Sequence, residues 1–393
     1  MSRKIIHLDL DAFFCAVEEQ RDPGLIGKPF AVGGKPQERG VVSSCSYAAR
    51  AFGVRSAMPM ARATRICPNL IVVSPHHKEY SQASQKVMAI LRSVTALVEQ
   101  ISIDEAFLDV SDLPEAGETI AHKLQEAITK DLGLPCSLGV ASNKLVAKIA
   151  TDVGKSTQGS SGPPNAITVV SPGSEAAFLA SLPVNSLWGI GPKTAERLHQ
   201  FGIKTIGALA STPEQKIKPI FGKVTQEILD RASGIDERPI VTHHDAKSIS
   251  QETTFPRDIS DEGQLKETLK ELAASMGRKL RKSNLHAETI KLKLRWSDFT
   301  TITRQMTLSQ PTDQDRIIYK VGLSLFEKSW RYNQPVRLLG LGVSGLSSQI
   351  VQLSLWEFNS KEQSLQQVLD ELNNKYGVKI VHRGSASTKK DYS

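Results

Sequence analysis

Ile5-Ile6-His7-Leu8-Asp9-Leu10-Asp11-Ala12-Phe13-Phe14 sets aspartates inside an apolar run, and Gln100-Ile101-Ser102-Ile103-Asp104-Glu105-Ala106-Phe107-Leu108-Asp109 does the same further along the chain. Short apolar runs of this kind belong in buried strands. An aspartate there costs on the order of several kcal/mol to desolvate unless something cationic neutralises it, so Asp9 needs a positive partner. Asp104 and Glu105 are neighbours, and neighbours on a strand point to opposite faces, so a bend at the strand end is required for both to reach one ion. Carboxylates from two strands, with substrate phosphates filling the remaining positions, suit a hard divalent cation. The competing reading is that these acids cap turns at strand ends.

Outward from these segments, strands and helices alternate. Phe30-Ala31-Val32, the Gly33-Gly34 turn and Gly40 to Ser44 read as a hairpin that feeds a helix from Tyr47 to about Phe52, with Ser46 as its N-cap. Helical spacing of Tyr80, Ala83, Val87, Ile90, Leu91 and Val94 leads into the second acidic strand. Ile120, Leu124 and Ile128 mark another helix, followed by a strand around Ser137 to Ala141 and a helix from Asn143. This predicts an α+β sheet with helices on one face. A Ser-, Gly- and Pro-rich loop, Ser156 to Pro164, separates it from a small helical module ending near Asp236. Beyond a linker through His243-His244 the expected order is strand 247–254, helix 261–282, strand 288–296, strand 300–308, helix 313–330 and strand 336–344, the β-α-β-β-α-β pattern. The tail carries one more amphipathic helix, Ser364 to Tyr376, and ends in a polar segment.

At 393 residues the chain is too long for one ordinary core. Its net charge of +8 points toward polyanionic partners. No apolar stretch reaches membrane-span length, and the run after Arg3-Lys4 is broken by Asp9 and Asp11, unlike a secretory leader, so a cytoplasmic protein with no membrane partner is expected. Cys15, Cys45, Cys67 and Cys136 have no C-x-x-C spacing and read as small buried residues.

Three further motifs bear on chemistry. In Leu187-Trp188-Gly189-Ile190-Gly191-Pro192-Lys193 the Gly-Ile-Gly hairpin precedes a helix whose N-terminus offers amides to a phosphate. An ordinary helix-helix turn is the alternative, and Pro192 at the first helical position followed by Lys193 favours the former. In Ile290-Lys291-Leu292-Lys293-Leu294-Arg295-Trp296 the basic residues alternate with apolar ones, which puts Lys291, Lys293 and Arg295 on one strand face, with Arg304 expected to join them from the paired strand. Residues 241–345 hold 17 Lys or Arg against 12 Asp or Glu, an excess of +5 that suits a nucleic-acid backbone as well as a merely solvated face. Around Ser43-Ser44-Cys45-Ser46-Tyr47-Ala48-Ala49-Arg50, hydroxyls, a phenol and a guanidinium gather at a helix start, where anions are favoured.

Taken in order, H-x-D-x-D-x-F-F (7–14), S-Y-A-A-R (46–50), S-I-D-E-A-F-L-D (102–109), K-I-A-T-D-V-G-K (148–155) and the W-G-I-G hairpin (188–191) resemble the Y-family of translesion DNA polymerases over nearly the whole chain. The resemblance implies an α+β multidomain fold, a right-hand polymerase with a ferredoxin-like palm (1–10 and 75–165), small fingers (11–74), a helical thumb with a helix-hairpin-helix (166–236), a little finger (237–345) and a tail (346–393). It implies DNA-directed DNA polymerase activity by low-fidelity translesion synthesis, with two Mg²⁺ ions per active site held by Asp9, Asp104, Glu105 and the Leu10 carbonyl. It also implies triphosphate contacts from Ser44, Tyr47, Arg50 and Lys155, a sugar site at Phe13 and Phe14 with Phe14 as steric gate, and a primer-end contact at Ser102. Small residues around Val42, Ser43 and Ala57 would lie over the nascent base pair. DNA contacts are expected from Gly189, Ile190, Gly191, Lys193, Lys291, Lys293, Arg295 and Arg304. Gln352, Leu353, Leu355 and Trp356 resemble the peptide that docks on the sliding clamp. The expected partners are primer-template DNA, dNTPs and that clamp, with the chain itself a monomer. The sequence departs from the family pattern at Ser46, where Asn is frequent, in the residues added between Lys155 and Pro164, and at Leu355-Trp356, where Leu-Phe is common. The rival readings are a non-catalytic DNA-binding or clamp-associated accessory protein, another palm-type nucleotidyl transferase such as a cyclase, or a metal-dependent nuclease.

Overall fold

The computed structural model describes residues 3–157 and 162–348, together with Val368, Glu371, Leu372 and Lys375. The expected clamp peptide, Gln352 to Trp356, and nearly all of the expected tail helix lie outside the described residues. The chain forms two compact units, Met1–His244 and Asp245–Ser393.

The first unit runs β1 Ile5–Leu10, α1 Phe13–Arg21, β2 Phe30–Gly33, β3 Val42–Cys45, α2 Tyr47–Ala51, α3 Met60–Ile66, β4 Ile71–Val73, α4 His77–Val94, β5 Val98–Gln100, β6 Glu105–Asp109, α5 Gly117–Leu132, β7 Cys136–Ala141, α6 Lys144–Thr157 and β8 Ile167–Val169. The helical module follows with α7 Glu175–Ala180, α8 Pro192–Gln200, α9 Ile206–Ala210, α10 Glu214–Phe221 and α11 Thr225–Ala232. Its main sheet has the order β5-β6-β1-β7-β8, with β1 antiparallel to both neighbours.

Strand alternation splits the residues of β1 between two cores. Ile6, Leu8 and Leu10 pack with Tyr80, Val87 and Leu91 of α4 and with Ile120, Leu124 and Ile128 of α5. Ile5 points the other way and joins Phe107, Leu145, Ile149 and Ala150, so α6 covers the second face. Helices therefore lie on both faces of this sheet, not on one. Gly139 on β7 makes this possible: a Cβ there would fall 2.0 Å from the Ala147 carbonyl oxygen, so only glycine lets α6 approach. Asn143 starts α6 by accepting from the Val146 N–H at 3.0 Å, as a cap does.

A second, three-stranded sheet, β3-β2-β4, packs Ala31, Val42, Met60 and Ala63 into its own small core. All four cysteines are free and buried, Cys15 and Cys136 in the main core and Cys45 and Cys67 in this one. Among the described residues no helix is long and apolar enough to cross a membrane.

The second unit contains β9 Ser248–Ile259, α12 Glu262–Lys282, β10 His286–Trp296, β11 Thr301–Thr312, α13 Asp315–Ser329 and β12 Val336–Ser347, the β-α-β-β-α-β order expected. The sheet order is β11-β10-β12-β9, all antiparallel. Leu265, Leu269, Met276, Ile318 and Phe326 of the helices meet Ile290, Leu292 and Leu294 of β10 and Leu339, Leu341 and Val343 of β12. Strands β9 and β11 run past the expected ends at Thr254 and Leu308, through Pro256 and Pro311. Both are edge strands, where a residue without an N–H is tolerated.

Candidate active site

Asp9 stands directly opposite Glu105 across the β1–β6 pair and opposite Ser137 across the β1–β7 pair. Partners in an antiparallel register share a face, so His7, Asp9, Glu105 and Phe107 all point toward α6. Instead of one long strand over Gln100–Asp109, the chain makes a hairpin whose turn spans residues 101–104. Ser102 builds that turn: its hydroxyl donates to Asp104 and accepts from the N–H groups of Asp104 at 3.2 Å and Glu105 at 3.1 Å. The Leu10 N–H donates to the Asp104 carbonyl at 3.0 Å, so the turn is tied to the last residue of β1. Asp104 thus sits in the turn and Glu105 opens β6, which provides the bend that neighbouring acids require.

The cations come from α6. Lys155 reaches Asp9 and, at 3.1 Å, Asp11, while Lys148 contacts Glu105 at 3.1 Å. Thr151, between them on the same helix face, meets the His7 ring at 2.9 Å. Burial pushes the Asp9 carboxyl up to about 7, against the pull of Lys155 and with the help of Glu105 and Asp104. Glu105 moves the other way, held down at about 2 by the His7 ring and by Lys148 despite its partial burial. His7 is fully buried, which lowers its imidazole to about 4; its Nε2 lies 3.9 Å from Glu105 and has no hydrogen-bond partner among the described residues. Among the described residues no three His, Cys, Asp or Glu side chains are arranged to hold a metal ion by themselves. The three carboxylates instead have lysine ammoniums and the Ser102 hydroxyl as partners, so cationic charge already stands where desolvated Asp9 demands it.

Asp11, which the sequence did not single out, is buried and accepts from Ser137 Oγ at 2.8 Å and from the Asn165 N–H at 3.1 Å. It ties Asn165 and Lys155 to the end of β1. Sequence reasoning also passed over His7, Lys148 and Thr151; the spacing of Lys148, Thr151 and Lys155 along K-I-A-T-D-V-G-K was the available signal.

After β1 the chain passes through Ala12 in the left-handed region (φ 46°) and starts α1 at Phe13. Phe13 is buried, and Phe14 stacks on Tyr80 with ring centroids 4.2 Å apart and planes 13° apart. Ser46 caps α2 by accepting from the Ala49 N–H at 3.2 Å. Tyr47 on that helix has its hydroxyl raised by burial and then by the charges of Asp11 and Asp9. Arg50 lies over the Tyr47 ring at 4.6 Å, and Ser44 Oγ is 3.5 Å from Cys15 Sγ. Of the three small residues, Val42 is buried in the three-stranded core, which leaves Ser43 and Ala57 at the surface.

The hairpin at Gly189 and Gly191 is exposed, with Gly189 at φ +104°, and a Cβ at Gly191 would meet open space. A short 3₁₀ turn, Val184–Ser186, precedes it in place of a first α-helix. Ile190 departs from the expected DNA contacts: its side chain is buried in the helical core and its N–H donates to the Leu187 carbonyl at 2.9 Å. Lys193 is exposed on the first turn of α8. Trp188 anchors the hairpin between the Phe107 ring at 6.0 Å and the Arg238 guanidinium at 4.9 Å.

In the second unit Lys291, Lys293 and Arg295 share the sheet face away from the helices. Arg304 does not join them. It stands opposite Leu292, whose side chain is buried beneath the helices, so the register turns Arg304 to the helix side, and Thr301, Thr303 and Gln305 face the basic row instead. Lys293 is paired with Glu252 at 2.7 Å and Arg295 donates to Thr301 at 2.8 Å.

The chain matches the model of the impB/mucB/samB family over residues 8–152, that family's C-terminal domain over 246–355 and its HHH motif over 172–203. It is 38% identical over 400 residues to DNA polymerase IV 1 of Bacillus subtilis (strain 168), which covers 99% of this chain and 94% of that protein. Among solved structures it is similar to a Y-family DNA polymerase chimera of Dbh and Dpo4, with a TM-score of 0.77 and 25% identity over 88% of this chain and 100% of that one. The insertion ternary complex of Dbh DNA polymerase gives a TM-score of 0.63 and 26% identity over 87% and 98% of the two chains. Matches that extend over nearly the whole chain, together with the thumb hairpin and the four-stranded C-terminal unit, establish that the chain belongs to the impB/mucB/samB family and is a Y-family DNA-directed DNA polymerase with palm, fingers, thumb and little finger.

Proposed function

We propose that this polymerase extends a primer 3′-hydroxyl along a DNA template by two-metal nucleotidyl transfer, with low fidelity and past damaged bases. The observation that carries the reading is the gathering of Asp9, Asp104 and Glu105 at one end of the sheet, beside Lys155. The donors are all oxygens, and buried Asp9 favours a positive neighbour, which fits Mg²⁺ with triphosphate oxygens completing the shell. Asp9, Asp104, Glu105 and the Leu10 carbonyl would hold the ions. When bound, the pair supplies acidification of the 3′-hydroxyl and neutralisation of the departing pyrophosphate.

The chain's own groups do the rest. Lys155 and Arg50 bind the triphosphate as cations, with Tyr47 and Ser44 as hydroxyl donors. Ser102 keeps Asp104 in place and borders the primer end. Phe13 and Phe14 underlie the sugar, and Phe14 excludes a 2′-hydroxyl by bulk. Ser43 and Ala57 leave room for an altered template base. Gly189, Gly191 and Lys193 grip a duplex phosphate, and Lys291, Lys293 and Arg295 track the backbone from the little finger. The domain limits stay as inferred from sequence, and Gln352 to Trp356 is proposed to dock the monomeric enzyme on a sliding clamp in the cytoplasm.

The test is extension of a labelled primer with Mg²⁺ and each dNTP singly, comparing the wild-type chain with Asp104→Ala. Templated addition that the variant loses supports the reading. Duplex binding without addition by the wild-type chain would move it to the accessory role.

A further inference from the structure

Glu18 is an acid that the proposed chemistry does not use, yet it is buried within one helical turn of Phe14. It lies four residues further along α1, and its carboxylate accepts from the Tyr80 hydroxyl and from Arg21 Nη1 at 2.9 Å, while His76 Nδ1 lies 2.8 Å from it and also contacts Arg21 Nη1 at 2.5 Å. Burial alone would raise this carboxyl; Tyr80, His76 and Arg21 outweigh it and hold the group below the ordinary range. Tyr80 is itself fully buried, and its hydroxyl is raised by burial and by the bond to Glu18. The other end of the Tyr80 side chain is the ring on which Phe14 stacks, while the His77 ring meets Phe14 edge-on at 6.3 Å.

We infer that Glu18 is a positioning residue for sugar selection: it clamps the Tyr80 hydroxyl, so the Tyr80 ring sets the plane and height of Phe14. The inference rests on the proposed role of Phe14 as the gate. An aromatic ring has two soft torsions, and stacking alone fixes its plane but lets it slide. A hydrogen bond at the para position removes the slide. A buried carboxylate suits this task because Arg21 holds its second oxygen and His76 lies against the first, which keeps it from turning away. The acid lies behind the gate and touches neither nucleotide nor acidic cluster, so its loss changes the choice between sugars and leaves the rate with the correct sugar nearly intact.

The experiment compares kcat/KM for a deoxynucleotide and its ribonucleotide in the full chain, with Phe14→Ala as reference. Glu18→Ala and Tyr80→Phe should each raise the relative use of the ribonucleotide about three- to tenfold, the range one aromatic contact carries. Glu18→Gln, whose amide oxygen still accepts from Tyr80, should retain the wild-type preference. Tyr80→Phe removes one oxygen and keeps the ring, so it decides the matter if Glu18→Ala fails to fold. Unchanged selection in Tyr80→Phe and in a folded Glu18→Ala, with Phe14→Ala relaxed, would overturn the positioning role. Unchanged selection in Phe14→Ala would overturn the gate itself.

Discussion

Asp9 and Glu105 face each other across adjacent strands and have opposite protonation tendencies, the first pushed up to about 7 by burial and the second held at about 2 by His7 and Lys148. One strand pair thus presents a carboxyl that gives up its proton only near neutral pH beside one that is ionised well below it. As the metal ligand proposed above, Asp9 would have to lose its proton before taking up a cation, so protons and Mg²⁺ would compete there. We expect the Mg²⁺ concentration for half-maximal primer extension to rise between pH 8 and pH 6 by about tenfold, the limit for one exchanged proton being about tenfold per pH unit. A magnesium titration at both pH values checks this, and a flat dependence would remove Asp9 from the metal site.

The same shift has a consequence for stability without metal. A carboxyl whose folded pKa lies above its unfolded value near 3.8 destabilises the fold once it ionises, so the cost appears as pH rises through that window and is complete above about 7. Asp9→Asn should therefore stabilise the metal-free protein at pH 8, by on the order of 1 to 2 kcal/mol, and by much less at pH 4. Urea melts in the presence of a chelator measure the difference. Equal effects at both pH values would contradict the assignment.

Glu105→Ala removes an acid that contacts solvent at the sheet end and should abolish extension, with a loss on the order of 10³-fold or more. Affinity for primer-template duplex should stay within about threefold, because phosphate contacts dominate it. Retained extension would refute the metal-ligand role, and collapse of binding would mean that the residue is structural.

On the little finger, Lys291→Ala should lower the slope of log affinity against log salt by about one, the signature of a lost phosphate contact. Arg304→Ala should leave the slope unchanged, since its register turns it away from the basic face. The opposite pattern would place the DNA on the helix side.

Gly139→Ala should destabilise the first unit by about 3 kcal/mol or more, because the new carbon has 2.0 Å to the Ala147 carbonyl and a backbone atom has to move. A thermal melt reads this directly, and a melting temperature within a degree of wild type would show that α6 shifts without cost.

The acids were legible in the sequence because carboxylates inside apolar runs are costly without a purpose, and the β-α-β-β-α-β module because its periods are clean. The hairpin around Ser102 was not: Ile101 and Ile103 continue the strand pattern, and the turn is decided by a serine hydroxyl bonding to its own neighbours. The second helical layer was hidden because His7 and Asp9 make one face of β1 look polar, whereas α6 buries His7 and covers most of Asp9. Arg304 was misplaced for want of register, since a shift of one residue across a strand pair reverses the face. Asp11 escaped notice because its partners, Ser137, Lys155 and Asn165, come from distant parts of the chain.

The prolines that carry β9 and β11 past their expected ends bear on how the protein survives in a crowded cell. A four-stranded open sheet has two rims of backbone donors and acceptors, each a template on which another copy's strand can grow. Pro256 and Pro311 each leave an edge strand of this sheet one backbone donor short. An edge strand that lacks a donor is a poorer template for strand-to-strand polymerisation when the protein's concentration rises.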